Sequence, residues 1–238
     1  MEKLIYVIWK PDDVPVDQFR SELLERTARA LINRGARGLA INLADEQAAF
    51  AHGLRITRMD TSMAGTVSLW MHTHLGRAPV EEALARIAAR VAGYLVLESV
   101  PIVNSRYVVD PGQRVPGICT VAFLEKPNAL TYEAWLDLWQ GQHTQVAIET
   151  QSTFLYIQNV VVRALTADAP PWAAIVEEGF PAEAATDPMV FYDAGGSKEE
   201  LKKRQRRMFE SVQKFIDLSR LESHPMSMYV LKAVTSDQ

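Results

Sequence analysis

Two segments of this chain occur twice and in the same order. The segment Ile5–Pro11 (IYVIWKP) aligns with Val121–Pro127 (VAFLEKP), and each is followed by a polar link and a helical pattern. Leu97–Ile102 (LESVPI) aligns in the same way with Leu221–Met226 (LESHPM). Because an internal repeat fixes the architecture of a chain, these matches predict a tandem duplication. The predicted division is an N-terminal half at 1–104, a linker at 105–116 and a C-terminal half at 117–238.

Each half alternates between strand-like and helix-like periodicity. The first half predicts strands at 3–9, 39–43, 66–72 and 94–103 and helices at 15–33 and 79–93. The second half predicts strands at 118–125, 153–164, 172–178 and 221–232 and helices at 131–149 and 197–218. This βαββαβ order is that of the ferredoxin-like fold, an antiparallel sheet with helices on one face. We therefore predict an α+β protein with two tandem ferredoxin-like units packed sheet to sheet as a pseudo-dimeric α+β barrel, with a ligand cavity between the sheets.

Composition excludes several other classes of protein. The 238 residues carry 25 Lys+Arg and 29 Asp+Glu, a formal net charge of -4, whereas nucleic-acid-binding domains are typically basic. The single cysteine, Cys119, cannot form an internal disulfide, and no Cys/His spacing matches a zinc site. The apolar N-terminal run is broken by Lys10 and Pro11, too early for a signal sequence or a membrane span. We expect a cytoplasmic protein that binds a small molecule and neither nucleic acid nor a membrane.

The start of the second half resembles a known family. The runs Phe123–Pro127 (FLEKP) and Leu130–Trp135 (LTYEAW) and the pattern Trp139-Gln-Gly-Gln-His143 resemble the EthD-type dimeric α+β barrel domain. The resemblance implies the barrel fold and a small aromatic or polyketide-like ligand. It also implies chemistry without a metal or an organic cofactor.

His143 is the first candidate for a catalytic residue. Trp135, Trp139 and His143 recur every four residues and share one helical stripe. An imidazole at the edge of a cavity can act as a general acid or base because its pKa lies near working pH. In the first half Leu23 and Thr27 stand at the positions of Trp139 and His143. The alternative is that His143 only packs beside Trp139 and holds the helix to the sheet.

The third predicted strand supplies two further candidates. Alternate side chains of a strand point to opposite faces, so Val67, Leu69 and Met71 suit the helix-covered face. Trp70 and His72 are then expected to line the cavity, with His72 polarising a substrate. The alternative places His72 in water at the end of the strand.

Four residues of the second half are candidates for the pocket wall: Tyr156, Trp172, His224 and Tyr229. Tyr156 could polarise a substrate, and Trp172 and Tyr229 could supply stacking surfaces. His224 differs from its counterpart Val100 in the repeated segment, as expected if one pocket has become asymmetric. The alternatives are an ordinary aromatic core and neutral divergence of the two copies.

These observations predict a protein that binds a small, largely apolar, aromatic or polyketide-like molecule. If it is an enzyme, cofactor-independent proton transfer fits best, as in an isomerase, cyclase or lyase. A non-catalytic accessory protein and a cofactor-independent monooxygenase are the alternatives. The pair His72 and His74 has no third ligand nearby in sequence, so neither a metal nor another cofactor is expected. Any homodimer is expected to use surfaces outside the barrel seam.

Overall fold

The computed structural model describes residues 1–59 and 63–234. The strands are β1 (Glu2–Trp9), β2 (Gly38–Leu43), β3 (Gly65–Met71), β4 (Arg90–Ile102), β5 (Ile118–Leu124), β6 (Leu155–Ala164), β7 (Ala174–Phe180) and β8 (Glu222–Lys232). The α-helices are α1 (Val16–Ser21), α2 (Ala28–Asn33), α3 (Ala78–Ala85), α4 (Tyr132–Leu136), α5 (Thr144–Thr150), α6 (Pro188–Phe191) and α7 (Lys198–Val212). Two π-helical segments, Glu22–Thr27 and Asp137–His143, join α1 to α2 and α4 to α5, and 3₁₀ helices span Glu46–Leu54, His74–Gly76 and Ala182–Ala185.

The eight strands form one closed antiparallel barrel in the order β1-β3-β2-β8-β5-β7-β6-β4. The fold is therefore α+β with a barrel, as expected, but the sheets of the two halves are not simply stacked face to face. They join edge to edge where β2 pairs with β8 and β4 pairs with β6. Closure pairs the backbone groups that two separate sheets would leave exposed at their edges.

Side-chain alternation along the strands separates an outer layer from the barrel interior. On β3, Val67, Leu69 and Met71 are buried in one cluster with Phe19 and Val80, residues of α1 and α3. The assignment of these three side chains to the helix-covered face is confirmed. An equivalent outer cluster in the second half packs aromatic residues of the helices against the outward side chains of β5, β6 and β7.

The barrel interior is filled with side chains and is not the open space expected between two sheets. Apolar residues from both halves form one buried cluster there. At its centre the Lys3 ammonium binds the carboxylates of Glu98 and Glu177, and Asn42 and Asn159 each donate a hydrogen bond to Glu177. The sequence placed the ligand cavity between the sheets, whereas the candidate site described below lies outside this interior, between the second-half sheet and its helices.

The second helix of the first half is shorter than its sequence pattern indicates. Helix α3 ends at Ala85, whereas the pattern extended the helix to Gly93. Strand β4 already begins at Arg90, because Val91 and the residues after it pair with β1. An Ala-rich segment is compatible with a helix or a strand. Here the hydrogen bonds to β1 make the segment from Arg90 onward a strand. Across residues 1–59 and 63–234 no helix combines the length and apolar character that crossing a bilayer requires.

Candidate functional site

A cavity of about 430 Å³ lies between the outer face of the second-half sheet and the helices that cover it. We call it the helix-side cavity. Its floor consists of outward side chains of β5, β6 and β7, and its roof includes residues of the π-helical segment Asp137–His143, of α6 and of α7. Its lining includes Thr120, Ala122, Leu124, Trp139, His143, Gln151, Tyr156, Val176, Glu178, Phe180, Phe191, Met208 and Phe215.

One row of the sheet carries the polar groups of the cavity floor. The registers pair Thr120 of β5 with Glu178 of β7, and Glu178 with Tyr156 of β6. Because partners across antiparallel strands project on the same side of a sheet, these three side chains stand next to each other in the cavity. The next row of β5 and β7, Ala122 and Val176, is apolar.

The Glu178 carboxyl is the most unusual group in the site. In the described part of the chain it has no hydrogen-bond or ion-pair partner, and burial raises its pKa to about 7. A carboxyl group with this pKa exists in both protonation states near neutral pH. It can therefore take up a proton from a ligand or return one.

His143 enters the cavity from the last turn of a π-helical segment, Asp137–His143. Its Nδ1 hydrogen-bonds with the Ser211 hydroxyl of α7 at 2.9 Å, and its ring lies 4.7 Å from that of Phe215. Burial lowers the pKa of His143 to about 4, so the imidazole is neutral at physiological pH. A neutral imidazole anchored through Nδ1 can offer Nε2 to a ligand as a hydrogen-bond partner.

The π-helical turn explains how His143 and Trp139 both reach the cavity. A π-bulge adds a residue to the helical turn and changes the direction of the side chains that follow, and such bulges are frequent at functional sites. The first half has the same feature at Glu22–Thr27, where Thr27 is buried. The two halves therefore share the π-helical turn, and only in the second half does this turn carry a histidine.

Tyr156 belongs to a polar chain at the side of the cavity. Gln158 donates hydrogen bonds to the Tyr156 hydroxyl at 3.0 Å and to the Thr144 hydroxyl at 2.8 Å. Burial, followed by the charge of Glu178, raises the pKa of Tyr156. The phenol therefore stays protonated and keeps an O–H that it can donate to a ligand.

Two further polar atoms of the lining are buried without a partner in the described part of the chain. These atoms are the hydroxyl Oγ1 of Thr120 and the amide Oε1 of Gln151. Buried polar groups in folded proteins are nearly always hydrogen-bonded. These atoms therefore indicate that a polar group of a ligand or a water completes the site. The residues that line the helix-side cavity include neither Lys nor Arg, so the site suits a neutral ligand better than an anion.

Three of the sequence-predicted site residues, His143, Trp139 and Tyr156, are brought together in the helix-side cavity. Trp70 projects from the other face of its sheet, where the Lys3 ammonium lies 4.8 Å from its ring centroid. His72 follows the end of β3, is exposed, and accepts a hydrogen bond from Arg37.

The remaining three predicted residues lie in other parts of the barrel. Trp172 packs in the interior, with its ring centroid 4.4 Å from that of Phe123. His224 is fully buried, and its Nε2 lies 2.8 Å from the Glu222 carboxylate. Tyr229 donates a hydrogen bond to Asp45 at 2.7 Å on the helix-covered side of the first half.

Glu178 was not among the residues predicted from the sequence. A signal was present, because the β7 sequence AIVEEGF places two carboxylates inside an apolar strand. Alternation sends Glu177 into the barrel, where Lys3 and two amides bind it, and sends Glu178 into the cavity. Within the described residues, no group of three or more His, Cys, Asp or Glu side chains is arranged to bind a metal ion.

No protein-family model matches this sequence, and none of the curated proteins matches it at a significant level. Among solved structures, an anthrone oxidase-like protein aligns over 100% of this chain and 96% of its own, with a TM-score of 0.56 and 9% identity. A protein named "putative monooxygenase" from Lactobacillus acidophilus NCFM aligns over 99% of both chains, with a TM-score of 0.51 and 12% identity. At these identities the likeness establishes a shared fold and nothing finer, and membership of the EthD-type family stays a prediction.

Proposed function

We propose that the helix-side cavity binds a small, neutral, largely apolar molecule of aromatic or polyketide-like character and that the chain catalyses proton transfer on it without a cofactor. The observation that carries this proposal is the unpaired Glu178 carboxyl with a pKa of about 7 inside an apolar cavity. Isomerisation, cyclisation and lyase reactions that pass through an enolate begin with such a transfer from the carbon next to a carbonyl group.

Each polar group of the cavity has a role in this proposal. Glu178 as carboxylate accepts the proton of the substrate and later returns it. His143, neutral and oriented by Ser211, hydrogen-bonds the substrate oxygen on which negative charge develops, and the Tyr156 hydroxyl donates to the same region. His143 thus acts as a hydrogen-bonding group, because a pKa of about 4 makes it a weak base at neutral pH.

We also infer that the chain is a tandem pair of ferredoxin-like units, 1–104 and 117–238, joined by 105–116 and related to EthD-type domains. The strand order supports this, since β4-β1-β3-β2 and β8-β5-β7-β6 follow the same sequence of positions in the two halves. The π-helical turn that both halves carry in their first helical region is a second common feature. The two halves then differ at this turn, where the second half carries His143 and the first half carries Thr27.

Oxygenation is the second candidate function. Two structures of the same fold carry the names "anthrone oxidase-like protein" and "putative monooxygenase". A cofactor-independent oxygenation also requires a base that converts an acidic aromatic substrate into its anion, and Glu178 could supply it. The two candidates therefore share the proton abstraction step and differ in whether molecular oxygen is consumed.

The test begins with a thermal-shift screen of neutral aromatic and polyketide-like compounds, because a ligand of the folded state raises the melting temperature. Hits that carry an acidic C–H are incubated in deuterated water, and the loss of that proton signal is followed by NMR. We expect the wild-type protein to accelerate the exchange and Glu178→Gln to lower the rate by about 10²–10⁴-fold. Glu183→Gln, the same change at an exposed site on the adjacent 3₁₀ helix, should leave the rate unaltered.

An oxygen electrode read in parallel separates the two candidate reactions. Exchange without oxygen uptake supports isomerase, cyclase or lyase chemistry, and exchange with stoichiometric uptake supports oxygenation. A ligand that binds with no exchange above the buffer rate would show that the chain is a binding protein without catalysis. Exchange that survives Glu178→Gln undiminished would remove Glu178 from its assigned role.

A further inference from the structure

A second cavity, of about 810 Å³, opens at the end of the barrel where β1 finishes. We call it the barrel-end cavity. It belongs to the first half and lies between the start of α1, the segment after β2 and the residues that precede β4. Its lining includes Trp9, Lys10, Val16, Phe19, Arg20, Leu43, Asp45, His52, Arg55, Met63 and Arg90.

Two hydrogen-bond donors of this lining are buried without an acceptor in the described part of the chain. They are the indole Nε1 of Trp9 and the guanidinium Nε of Arg55. The Arg90 guanidinium lies 4.4 Å from the Trp9 ring centroid and donates to the carbonyl of Asp168, so the indole is held in place. Buried donors are rarely left unpaired in native proteins. Two of them on one cavity indicate that an acceptor binds there.

The charges around the cavity favour an anionic acceptor. Four cations line it: Lys10, Arg20, Arg55 and Arg90. Three carboxylates also line it, but Asp12 and Glu46 are exposed to solvent. The third, Asp45, is buried, accepts hydrogen bonds from the Ser227 and Tyr229 hydroxyls, and pairs with Arg20 at 3.5 Å, which neutralises one of the four cations. Lys10 and Arg90 bond to backbone carbonyls, which leaves their positive charges without a carboxylate partner among the described residues.

The lining also has an apolar part that includes the buried side chains of Phe19, Leu43 and Met63. We propose that the barrel-end cavity is a second ligand site, which binds an organic anion with an apolar body. The carboxylate or phosphate oxygens of that anion accept hydrogen bonds from Trp9 and Arg55, and the body lies against the apolar wall. Charge-assisted hydrogen bonds of this kind are the strong ones in protein recognition. The two cavities thus differ in charge, since the helix-side cavity has no cation in its lining.

The tryptophan side chains allow the site to be located directly in the wild-type protein. The chain has five Trp residues, and each gives one indole signal in a nitrogen–proton correlation spectrum. Trp9→Phe identifies the Trp9 signal and Trp139→Phe identifies that of the helix-side cavity. We expect naphthoate or naphthyl phosphate to shift the Trp9 signal, and neutral naphthalenemethanol to leave it in place. The comparison of the two anions shows which oxyanion the site prefers, and inorganic phosphate alone tests whether the apolar body is needed.

A pair of arginine variants tests the guanidinium contact. Arg55→Gln should weaken binding of the preferred anion by about 10–100-fold, the range for a lost hydrogen bond to a charged group. Arg58→Gln is the matched control, because Arg58 is exposed and does not line the cavity. Trp9→Phe should weaken binding by about 3–10-fold.

Binding should be unaffected by Glu178→Gln, so the outcome here is independent of the proposed acid–base function. A Trp9 signal that no naphthalene anion shifts would overturn the proposal. The same holds if Arg55→Gln and Arg58→Gln bind the anion equally well. A shift of the Trp139 signal in place of the Trp9 signal would assign the anion to the other cavity.

Discussion

Glu178 and Tyr156 are paired directly across neighbouring strands of the barrel, yet the two side chains differ in their hydrogen bonding. The Tyr156 hydroxyl accepts a hydrogen bond from Gln158, whereas the Glu178 carboxyl has no partner in the described part of the chain. The hydrogen bond from Gln158 orients the phenol, while burial raises the pKa of Tyr156 and keeps the phenol protonated. Burial also raises the pKa of Glu178, to about 7. A proton donor and a proton acceptor thus stand next to each other on one cavity floor.

The first prediction concerns the pH dependence of stability at Glu178. Its pKa is about 7 in the folded chain and near 4.5 when exposed, so the folded state binds the proton more tightly. This contribution to stability is fully present below pH 4.5 and is lost as the pH rises through 7. Glu178→Gln should therefore unfold at about the same denaturant concentration as wild type at pH 5. At pH 8.5 we expect the variant to be more stable by about 2 kcal/mol.

Urea unfolding at the two pH values, with Glu183→Gln as the control, measures this difference. A variant that is equally stabilised at pH 5 and pH 8.5 would mean that the carboxyl is not held protonated by its environment. The gain in stability should accompany the loss of proton exchange activity described above, because burial of a reactive carboxylate favours function at the expense of stability.

The second prediction concerns His143, whose pKa of about 4 lies below that of an exposed histidine near 6.5. The unfolded chain then binds more protons between these values, so acidification from pH 6.5 to pH 4 destabilises the folded state. In wild type, the free energy of unfolding should fall between pH 7 and pH 4.5, and His143 should account for about 2–3 kcal/mol of this fall. The difference between the two pH values should therefore be smaller by that amount in His143→Asn. Ser211→Ala keeps the buried imidazole and should retain most of the pH dependence.

His224 is also buried, and burial lowers its pKa as well. It remains in every one of these variants, so the comparison isolates the contribution of His143 to the pH dependence of stability. Equal pH dependence in wild type and His143→Asn would show that the imidazole is solvated in the folded protein.

The sequence predicted the parts of this structure that depend on local patterns. Alternation along β3 correctly placed Val67, Leu69 and Met71 under the helices, because one buried face fixes the register of a strand. The spacing of Trp139 and His143 placed both side chains on one side of their helix, and they do line one cavity. Those inferences needed only neighbours within a strand or a helical turn.

The features that sequence did not predict depend on long-range contacts. Barrel closure rests on pairing between β2 and β8 and between β4 and β6, and nothing local in those strands specifies the partner. The location of the cavity depends on how far α7 stands from the sheet. Glu177 and Glu178 are neighbouring residues of one type. The long-range contacts that Lys3, Asn42 and Asn159 make with Glu177 distinguish the two carboxylates.

The third prediction concerns the ion pair that links the two halves inside the barrel. Lys3 binds Glu177 at 3.3 Å, and both side chains are almost fully buried. Lys3→Met leaves a buried carboxylate without its cation and should lower the free energy of unfolding by about 3–5 kcal/mol. In the double variant Lys3→Met/Glu177→Gln the uncompensated charge at position 177 is gone, so part of that loss should be recovered. Chemical unfolding of the single and double variants measures the coupling, and strictly additive effects would contradict it.

The last prediction concerns the turn into β5. Gly117 has a φ of 92°, and a Cβ atom there would lie 2.2 Å from the Phe180 carbonyl oxygen. Phe180 lines the helix-side cavity, so relief of the clash would displace the end of β7. We expect Gly117→Ala to lower the free energy of unfolding by about 2–4 kcal/mol.

Gly112 also has a positive φ, 85°, but a Cβ there would meet its nearest neighbour, Leu231, at 3.8 Å. Gly112→Ala should therefore cost about 1 kcal/mol, the conformational penalty alone. Equal losses in the two variants would show that the contact with Phe180 does not constrain the turn.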